Sequence, residues 1–165
     1  MKKNREHSAS PHAELPIHIK SVRHESLMAI WWTSQLLRKA SRNLFRDELS
    51  SESQFNVLVL LKDSKEPLTQ KSLSEMLLVD KSNITGLVDR LEKLGLLWRE
   101  RLEHDRRTHH IHLTDAGRKL IEELDQRYIE SVFQVMQSMT EAECRTLLAL
   151  TRKVRIGLDR FDPKL

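Results

Sequence analysis

The stretch 80–95 carries short polar and cationic side chains at the spacing of a helix. At about 100° per residue, one face of that helix holds Ser82, Gly86, Asp89 and Lys93, flanked by Thr85 and Arg90. Hydroxyl and guanidinium groups on an exposed helix can donate to base edges and to phosphate oxygens. A helix of roughly 24 Å, at ~1.5 Å per residue, is long enough to lie in a DNA major groove. This face therefore indicates contact with nucleic acid.

The opposite face of the same helix is apolar and should be buried. Its residues recur at the three- and four-residue spacing that stacks side chains on one stripe, and they are Ile84, Leu87, Val88, Leu91 and Leu94. Asp80 is predicted to cap the first turn through its carboxylate, and Gly95 is predicted to end the helix.

Gly86 lies on the outward face in the middle of this helix. A glycine there costs about 1 kcal/mol relative to alanine, and packing in a core cannot account for it. Close approach of a partner to the backbone is one interpretation. The alternative is a tolerated glycine without a role.

The elements around this helix predict a helix-turn-helix followed by a hairpin. Thr69 is a capping residue for a preceding helix that reaches Leu77, and a turn of about three residues separates the two helices. Residues 96–102 and 109–113 are predicted to be extended, because apolar and polar residues alternate in the second segment. A hairpin in this position is a wing.

The tip of the predicted wing is basic. Arg106 and Arg107 can enter a narrow minor groove or hold phosphate, and Asp105 is close enough in sequence to orient the guanidinium of Arg107. A solvated charged turn is the alternative for an isolated hairpin. Next to this helix, DNA contact is the favoured interpretation.

Three motifs in order resemble the winged helix-turn-helix of the MarR (multiple antibiotic resistance regulator) family. They are Ile84 to Leu97, the Asp105-Arg106-Arg107 wing motif, and Leu113-Thr114-Asp115-Ala116-Gly117 at the start of the next helix. The resemblance implies a homodimeric regulator of pseudo-palindromic operators, usually a repressor that a small ligand releases. The matching DNA-binding positions are Lys81, Ser82, Asn83, Thr85, Gly86, Arg90 and Arg107.

Side-chain chemistry divides the predicted interface into two roles. Ser82, Asn83 and Thr85 are best placed to contact bases, and Asp89 either accepts from a cytosine amino group or orients Arg90. Phosphate contacts are expected from the cations, namely Lys81, Arg90, Lys93 and Arg106.

The family resemblance also suggests where an effector would bind. It places Trp31, Trp32, Leu36 and Phe55 near a ligand pocket between the dimerisation helices and the DNA-binding region. Ordinary packing is the alternative for the tryptophan pair. Cys144 lies in the first turn of the last helix, where the helix dipole favours a thiolate, so redox sensing is a further alternative.

The expected fold class is mainly α with a small β wing: a winged helix-turn-helix flanked by long dimerisation helices. We expect a disordered tail over 1–16, an N-terminal dimerisation helix over 17–50, the DNA-binding domain over 51–113 and C-terminal dimerisation helices over 114–165. Capping boxes are predicted at Ser51 and Thr140, and Thr114 is predicted to cap the first of the C-terminal helices. Surplus apolar surface on the terminal helices favours a dimer, with a monomeric helical subdomain as the alternative.

Composition and missing motifs restrict the function further. The chain has a net charge of +4, a pI of about 9.3 and one cysteine, which fits an anionic partner and a reducing compartment. No apolar run is long enough for a membrane span, so we expect a soluble, cytoplasmic protein. There is no nucleophile elbow, phosphate loop or His-Glu-x-x-His motif. We therefore expect no enzyme activity and no cofactor.

Two further alternatives complete the sequence interpretation. A winged-helix interaction module without DNA binding would keep the same buried face, although the basic wing tip argues against it. His110 and His112 share a strand face at a spacing that can chelate metal. No acidic or cysteine partner accompanies them in a recognisable pattern, so a solvated wing or phosphate contact is expected and a metal site is not.

Overall fold

A computed structural model describes residues 13–45, 47–101 and 108–162. The chain forms two compact units, Met1–Ile121 and Glu122–Leu165. The elements are α1 (Val22–Phe45), α2 (Glu52–Asp63), β1 (Leu68–Thr69), α3 (Gln70–Leu77), α4 (Lys81–Lys93), β2 (Leu97–Arg101), β3 (His109–Leu113), α5 (Asp115–Met136) and α6 (Glu141–Asp159). This mainly helical architecture with a small sheet confirms the predicted fold class.

The first helix is shorter than the predicted 17–50. It begins at Val22 and ends at Phe45. The amides of Glu48 and Leu49 then both donate to the carbonyl of Phe45, which forms a turn instead of further helix. The tail expected over 1–16 falls largely outside the described residues.

The capping box predicted at Ser51 forms only in part. The Ser51 hydroxyl accepts from the amide of Gln54, as expected. The Gln54 side-chain oxygen, however, accepts from the amide and hydroxyl of Ser50, at 2.7 and 2.8 Å, and not from the amide of Ser51. Gln54 is almost fully buried, so these two hydrogen bonds satisfy its carbonyl oxygen inside the fold.

The turn between α3 and α4 is held by Ser74. Its hydroxyl donates to the carbonyl of Val79 at 2.7 Å, and the amide of Val79 donates back to the carbonyl of Ser74. Leu78 adopts the left-handed conformation, with a φ of 52°, and its side chain is 92% exposed. The predicted helix-turn-helix is present, and Thr69 caps α3 in a complete capping box with Ser72.

Helix α4 confirms most of the predicted amphipathic pattern, with two corrections. Asp80 is the N-cap residue, but its side chain makes no capping hydrogen bond. Leu94 is 56% exposed instead of buried, because α4 ends at Lys93 and Leu94 is already in the C-cap. Gly95 has a φ of 69° and ends the helix as predicted.

The end of α4 is a Schellman motif that directs the chain into β2. The amide of Leu96 donates to the carbonyl of Leu91, and the amide of Gly95 donates to that of Glu92. Leu91 and Leu96 are both buried, which adds the apolar contact typical of this motif. Gly95, with its positive φ, is therefore the residue of left-handed backbone conformation that joins α4 to the wing.

The three strands form one antiparallel sheet in the order β1-β3-β2. Both strands of the wing were predicted, and their register pairs Leu97 with Leu113 and Arg101 with His109. The short strand β1 was not predicted, because two residues are too few to show alternation. It pairs Leu68 with Ile111 and so covers the second edge of β3.

The core of the first unit lies between the helix-turn-helix and the sheet. Phe45 and Phe55 stack there with ring centroids 4.2 Å apart. The remaining buried side chains come from α2, α3, α4, the start of α5, the sheet and the connecting segments, and include Leu58, Leu73, Ile84, Leu91 and Ile111. The inner stripe of α4 therefore fastens this helix to the first unit.

Thr114 fixes the start of α5 against the end of α4. Its hydroxyl donates to the carbonyl of Gly95 at 2.6 Å and accepts from the amide of Gly117 at 3.0 Å, which confirms the predicted cap. A Cβ atom on Gly117 would lie 1.9 Å from the carbonyl oxygen of Leu96. Only glycine allows this close approach.

The second unit contains most of α5 and all of α6. The capping box predicted at Thr140 is complete: the Thr140 hydroxyl accepts from the amide of Glu143, and the Glu143 carboxylate accepts from the amide of Thr140 at 2.7 Å. Among the helices of the described residues, none is both long and apolar enough to cross a membrane.

Candidate nucleic-acid interface

The outward face of α4 is open to solvent along its whole length. The predicted contact residues Lys81, Ser82, Asn83, Thr85, Arg90 and Lys93 are all exposed, and Gly86 is partly exposed. Ile84, Leu87, Val88 and Leu91 on the other face are buried. The structure therefore brings the predicted DNA-contacting side chains together on one accessible surface.

Gly86 is not required by packing inside the chain. A Cβ atom at this position would lie 3.5 Å from Nη1 of Arg90, which is ordinary van der Waals contact. Alanine would therefore fit the fold without displacement of a neighbour. This observation leaves close approach of a partner, or simple tolerance, as the explanation for the glycine.

Thr85 is held in place by two hydrogen bonds. Its hydroxyl donates to the carbonyl of Lys81 at 2.9 Å and accepts from the side-chain amide of Gln70 at 3.3 Å. Gln70 is the first residue of α3, so a second helix contributes to this surface. The periodicity of α4 gave no indication of Gln70, because the two residues are on different helices.

Asp89 contacts β2 and is not paired with Arg90. Its Oδ1 atom lies 2.5 Å from Nη2 of Arg99, and Nη1 of Arg99 donates to the carboxylate of Glu92. In the described structure Asp89 therefore pairs with Arg99 and does not orient Arg90, while its predicted contact with a cytosine amino group stays a prediction. Arg99 was not predicted as a site residue; its two-residue spacing from Leu97, which puts both side chains on one face of β2, was the available signal.

The two cations near the end of α4 also border a cavity. Arg90 and Lys93 line a space of about 430 Å³ together with Asp47, Glu48 and Leu94. Acidic side chains of the turn after α1 therefore line the same space as these two cations.

The wing is described up to the base of its tip. Strands β2 and β3 are paired over five residue pairs, from Leu97 with Leu113 to Arg101 with His109. The predicted tip residues Asp105, Arg106 and Arg107 lie outside the described residues. Their proposed minor-groove and phosphate contacts stay predictions.

The residues predicted near a ligand pocket have different environments. Phe55 is buried against Phe45 in the core of the first unit. Trp31 is exposed, and its ring centroid is 6.1 Å from that of Trp32. Among the described atoms, the ring N–H of Trp32 is buried and has no hydrogen-bond partner. Leu36 is partly buried, and a shared pocket for these residues stays a prediction.

Comparison with known proteins gives a consistent assignment. The MarR family model matches residues 51–109. The chain is 30% identical over 123 residues to the HTH-type transcriptional regulator PecS of Dickeya dadantii, covering 73% of this chain and 74% of PecS. The matched relatives are transcriptional regulators, and MarR regulators act as dimers.

Solved structures show the same fold. The MepR–DNA complex of Staphylococcus aureus has a TM-score of 0.72 at 21% identity, covering 82% of this chain and 97% of MepR. CouR of Rhodococcus jostii bound to p-coumaroyl-CoA has a TM-score of 0.71 at 20% identity, with 82% of this chain and 95% of CouR covered. The sequence similarity and the shared fold show that the chain belongs to the MarR family and is a DNA-binding transcriptional regulator.

Proposed function

We propose that the chain binds pseudo-palindromic operators as a homodimer, with α4 of each subunit in the major groove and the wing tip at the minor groove. The observation that carries this proposal is the exposed polar face of α4, whose opposite face is anchored in the core. A helix held in this way presents donors at fixed positions, which base recognition requires.

The individual residues are proposed to divide between base and phosphate contacts. Thr85, whose hydroxyl direction is fixed by Gln70 and Lys81, is the strongest candidate for base contact. Ser82 and Asn83 are exposed beside it. Phosphate contacts are assigned to the cations Lys81, Arg90, Lys93 and Arg106, and a minor-groove or phosphate contact to Arg107.

Dimerisation is supported by apolar side chains that a single chain leaves exposed. In the second unit, Ile129, Phe133, Leu147, Leu148 and Leu158 are all solvent-accessible. Pairing with a second copy would bury such surface, and two-fold symmetry is the commonest arrangement. Two recognition helices would then reach successive major grooves about 34 Å apart, with half-sites near 10 bp centre to centre.

We further propose that the protein is a cytoplasmic repressor released by a small molecule. CouR was solved with a bound acyl-CoA ligand, which supports ligand control within this fold. In this chain, the buried, unpartnered ring N–H of Trp32 offers a donor for an effector within the described residues. A ligand changes DNA affinity only if it binds the DNA-binding conformation and the released conformation of the dimer with different affinities.

The experiment is a fluorescence anisotropy titration of the full chain with DNA from its own promoter region and with scrambled DNA of equal length. Arg107→Ala should weaken binding to both sequences, because a wing arginine contributes mainly sequence-independent affinity. Thr85→Ala should reduce the preference for the matched sequence. Lys119→Ala, which changes an exposed lysine outside the proposed interface, is the charge control.

Salt dependence provides a second measurement on the same samples. If about 6 to 10 phosphates are neutralised, affinity should fall by about 10³- to 10⁵-fold between 50 and 200 mM salt. A flat salt profile would argue against DNA binding altogether. Equal loss on both DNAs in the Arg107 and Thr85 variants would contradict the proposed division of roles. If the anisotropy does not rise with either DNA, the alternative of a winged-helix interaction module without DNA binding is favoured.

A further inference from the structure

The outer face of the wing sheet collects three side chains that can act as metal ligands. They are Glu100 on β2 and His110 and His112 on β3, and one donor atom from each lies within 4.8 Å of the other two. Sequence spacing placed the two histidines on one strand face but offered no acidic partner. The register supplies it, because Glu100 is directly opposite His110.

The carboxylate of Glu100 lies between the two imidazoles. Its Oε2 atom is 2.8 Å from Nε2 of His112 and 3.7 Å from Nδ1 of His110. All three side chains are partly exposed, so an ion and a completing water could reach them from solvent. The three donors therefore converge on one accessible point of the sheet surface.

Neighbouring aromatic packing restricts the histidine rings. Trp98, which is paired with His112 across the strands, stacks on that ring with centroids 4.7 Å apart. The rings of His110 and His112 meet edge to face at 6.2 Å. Because these contacts limit rotamer freedom before any ion binds, less conformational entropy would be lost on ligation.

We propose that Glu100, His110 and His112 form a binding site for a divalent transition-metal ion, with zinc as the best match. Two imidazoles, one carboxylate and an open position for water form a donor set that zinc accepts. Calcium and magnesium prefer oxygen ligands throughout, so this set disfavours them.

The site requires only small side-chain movements. Zinc bonds to nitrogen and oxygen measure about 2.0–2.2 Å, so tetrahedral ligand atoms lie about 3.3–3.6 Å apart. The hydrogen bond between Glu100 and His112 would be replaced by two bonds to the ion. An ion bound there would join β2 to β3 next to the segment 102–107, which contains the predicted wing arginines.

Isothermal titration calorimetry of the full chain with Zn²⁺ tests the proposal. We expect one ion per chain and at least about tenfold weaker binding in His110→Asn, His112→Asn and Glu100→Gln. His109→Asn is the matched control, because His109 is on the same strand but on its opposite face. Cys144→Ser, which removes the single thiol, should bind like the unmodified chain.

Cobalt(II) absorption gives an independent signature of coordination. The chain should produce the intense visible bands of Co²⁺ with fewer than six ligands, and the two histidine variants should lose them. Excess Mg²⁺ should not displace Zn²⁺. If a histidine variant fails to fold by circular dichroism, Glu100→Gln, which keeps the side-chain shape, still reports on the site.

Several results would overturn the proposal. It is contradicted if the unmodified chain binds no Zn²⁺ or if Mg²⁺ displaces bound Zn²⁺. It is also contradicted if Zn²⁺ affinity is unchanged in the His110, His112 and Glu100 variants, or if His109→Asn or Cys144→Ser lowers that affinity equally. None of these measurements involves DNA, so the metal site can fail while the proposed DNA-binding function stands.

Discussion

Arg99 of β2 is ion-paired with Asp89 of the recognition helix α4, with 2.5 Å between Nη2 and Oδ1. The same guanidinium contacts Glu92, one helical turn further along α4. The Arg99 side chain is only 19% exposed, whereas those of Asp89 and Glu92 are 50% and 38% exposed, so bulk solvent screens these pairs in part. Helix and wing are thereby held at a fixed relative position.

Arg99→Ala should lower the free energy of unfolding by about 1–2 kcal/mol. This value lies between the ~0–1 kcal/mol of exposed pairs and the ~3–5 kcal/mol lost when a buried pair is broken. Operator affinity should also fall, because the wing loses its orientation relative to α4. Urea denaturation and anisotropy titration measure the two effects.

Arg145→Ala is the matched control for this ion pair. Arg145 contacts Glu141 one turn away on α6, but both side chains are strongly exposed. Its loss should cost about 0.3–0.5 kcal/mol. Equal destabilisation by the two substitutions would show that the contacts of Arg99 with α4 have no special role.

Gly117→Ala should destabilise the first unit strongly. The added methyl would be placed 1.9 Å from the backbone oxygen of Leu96, so the junction of α4, β2 and α5 must move. Overpacking of this kind costs about 1–3 kcal/mol or more. Thermal and urea denaturation would measure the loss.

Gly157→Ala provides the comparison within another helix. Nothing lies within 4 Å of a Cβ atom at Gly157, so the higher helix propensity of alanine should raise stability by up to about 1 kcal/mol. If Gly117→Ala were as well tolerated as Gly157→Ala, the close approach of Leu96 would not restrict residue 117.

Gly86→Ala should separate stability from DNA binding. A Cβ atom would make only ordinary contact with Arg90, so the free energy of unfolding should rise by up to about 1 kcal/mol. Operator affinity should fall if DNA approaches the backbone at this point. Unchanged affinity in a stabilised variant would identify Gly86 as a tolerated glycine.

The capping box of α6 predicts a pH dependence at Glu143. Hydrogen bonds from the backbone amide and then the hydroxyl of Thr140 hold the pKa of this carboxyl below its ordinary value of 4.5. A lowered folded-state pKa stabilises the fold above the unfolded-state pKa, and that stabilisation disappears as the pH falls through the folded-state value.

Titration of the Glu143 carboxyl by NMR should therefore give a midpoint below 4.5. In Thr140→Ala the hydroxyl donor is gone but the backbone donor stays, so the midpoint should move part of the way back. A midpoint at or above the ordinary value in the unmodified chain would contradict the capping-box explanation.

Local patterns in the sequence were sufficient for the recognition helix and its surroundings. The spacing of Ile84, Leu87, Val88 and Leu91 identified the buried face of α4, and the capping residues Thr69, Thr114 and Thr140 marked helix starts that the structure contains. These features depend on interactions within about four residues, which periodicity and capping preferences report directly.

The same local patterns failed where an element ends or is very short. Leu94 continued the apolar stripe in sequence but is exposed, because the Schellman motif at Gly95 ends α4 one residue earlier. Strand β1 was missed because its two residues show no alternation. The first error comes from the local hydrogen bonds that end α4, and the second from the pairing of β1 with the distant strand β3; periodicity reports neither.

The sequence by itself determined the amphipathic helices, the order of elements and the chemical character of the exposed face of α4. Only the tertiary structure decided that Asp89 meets Arg99, that Gln70 holds Thr85, and that Glu100 joins His110 and His112. Each of these partners lies on a different element of the fold. Their proximity depends on strand register and helix packing, which the repeat of 3.6 or two residues within one segment does not encode.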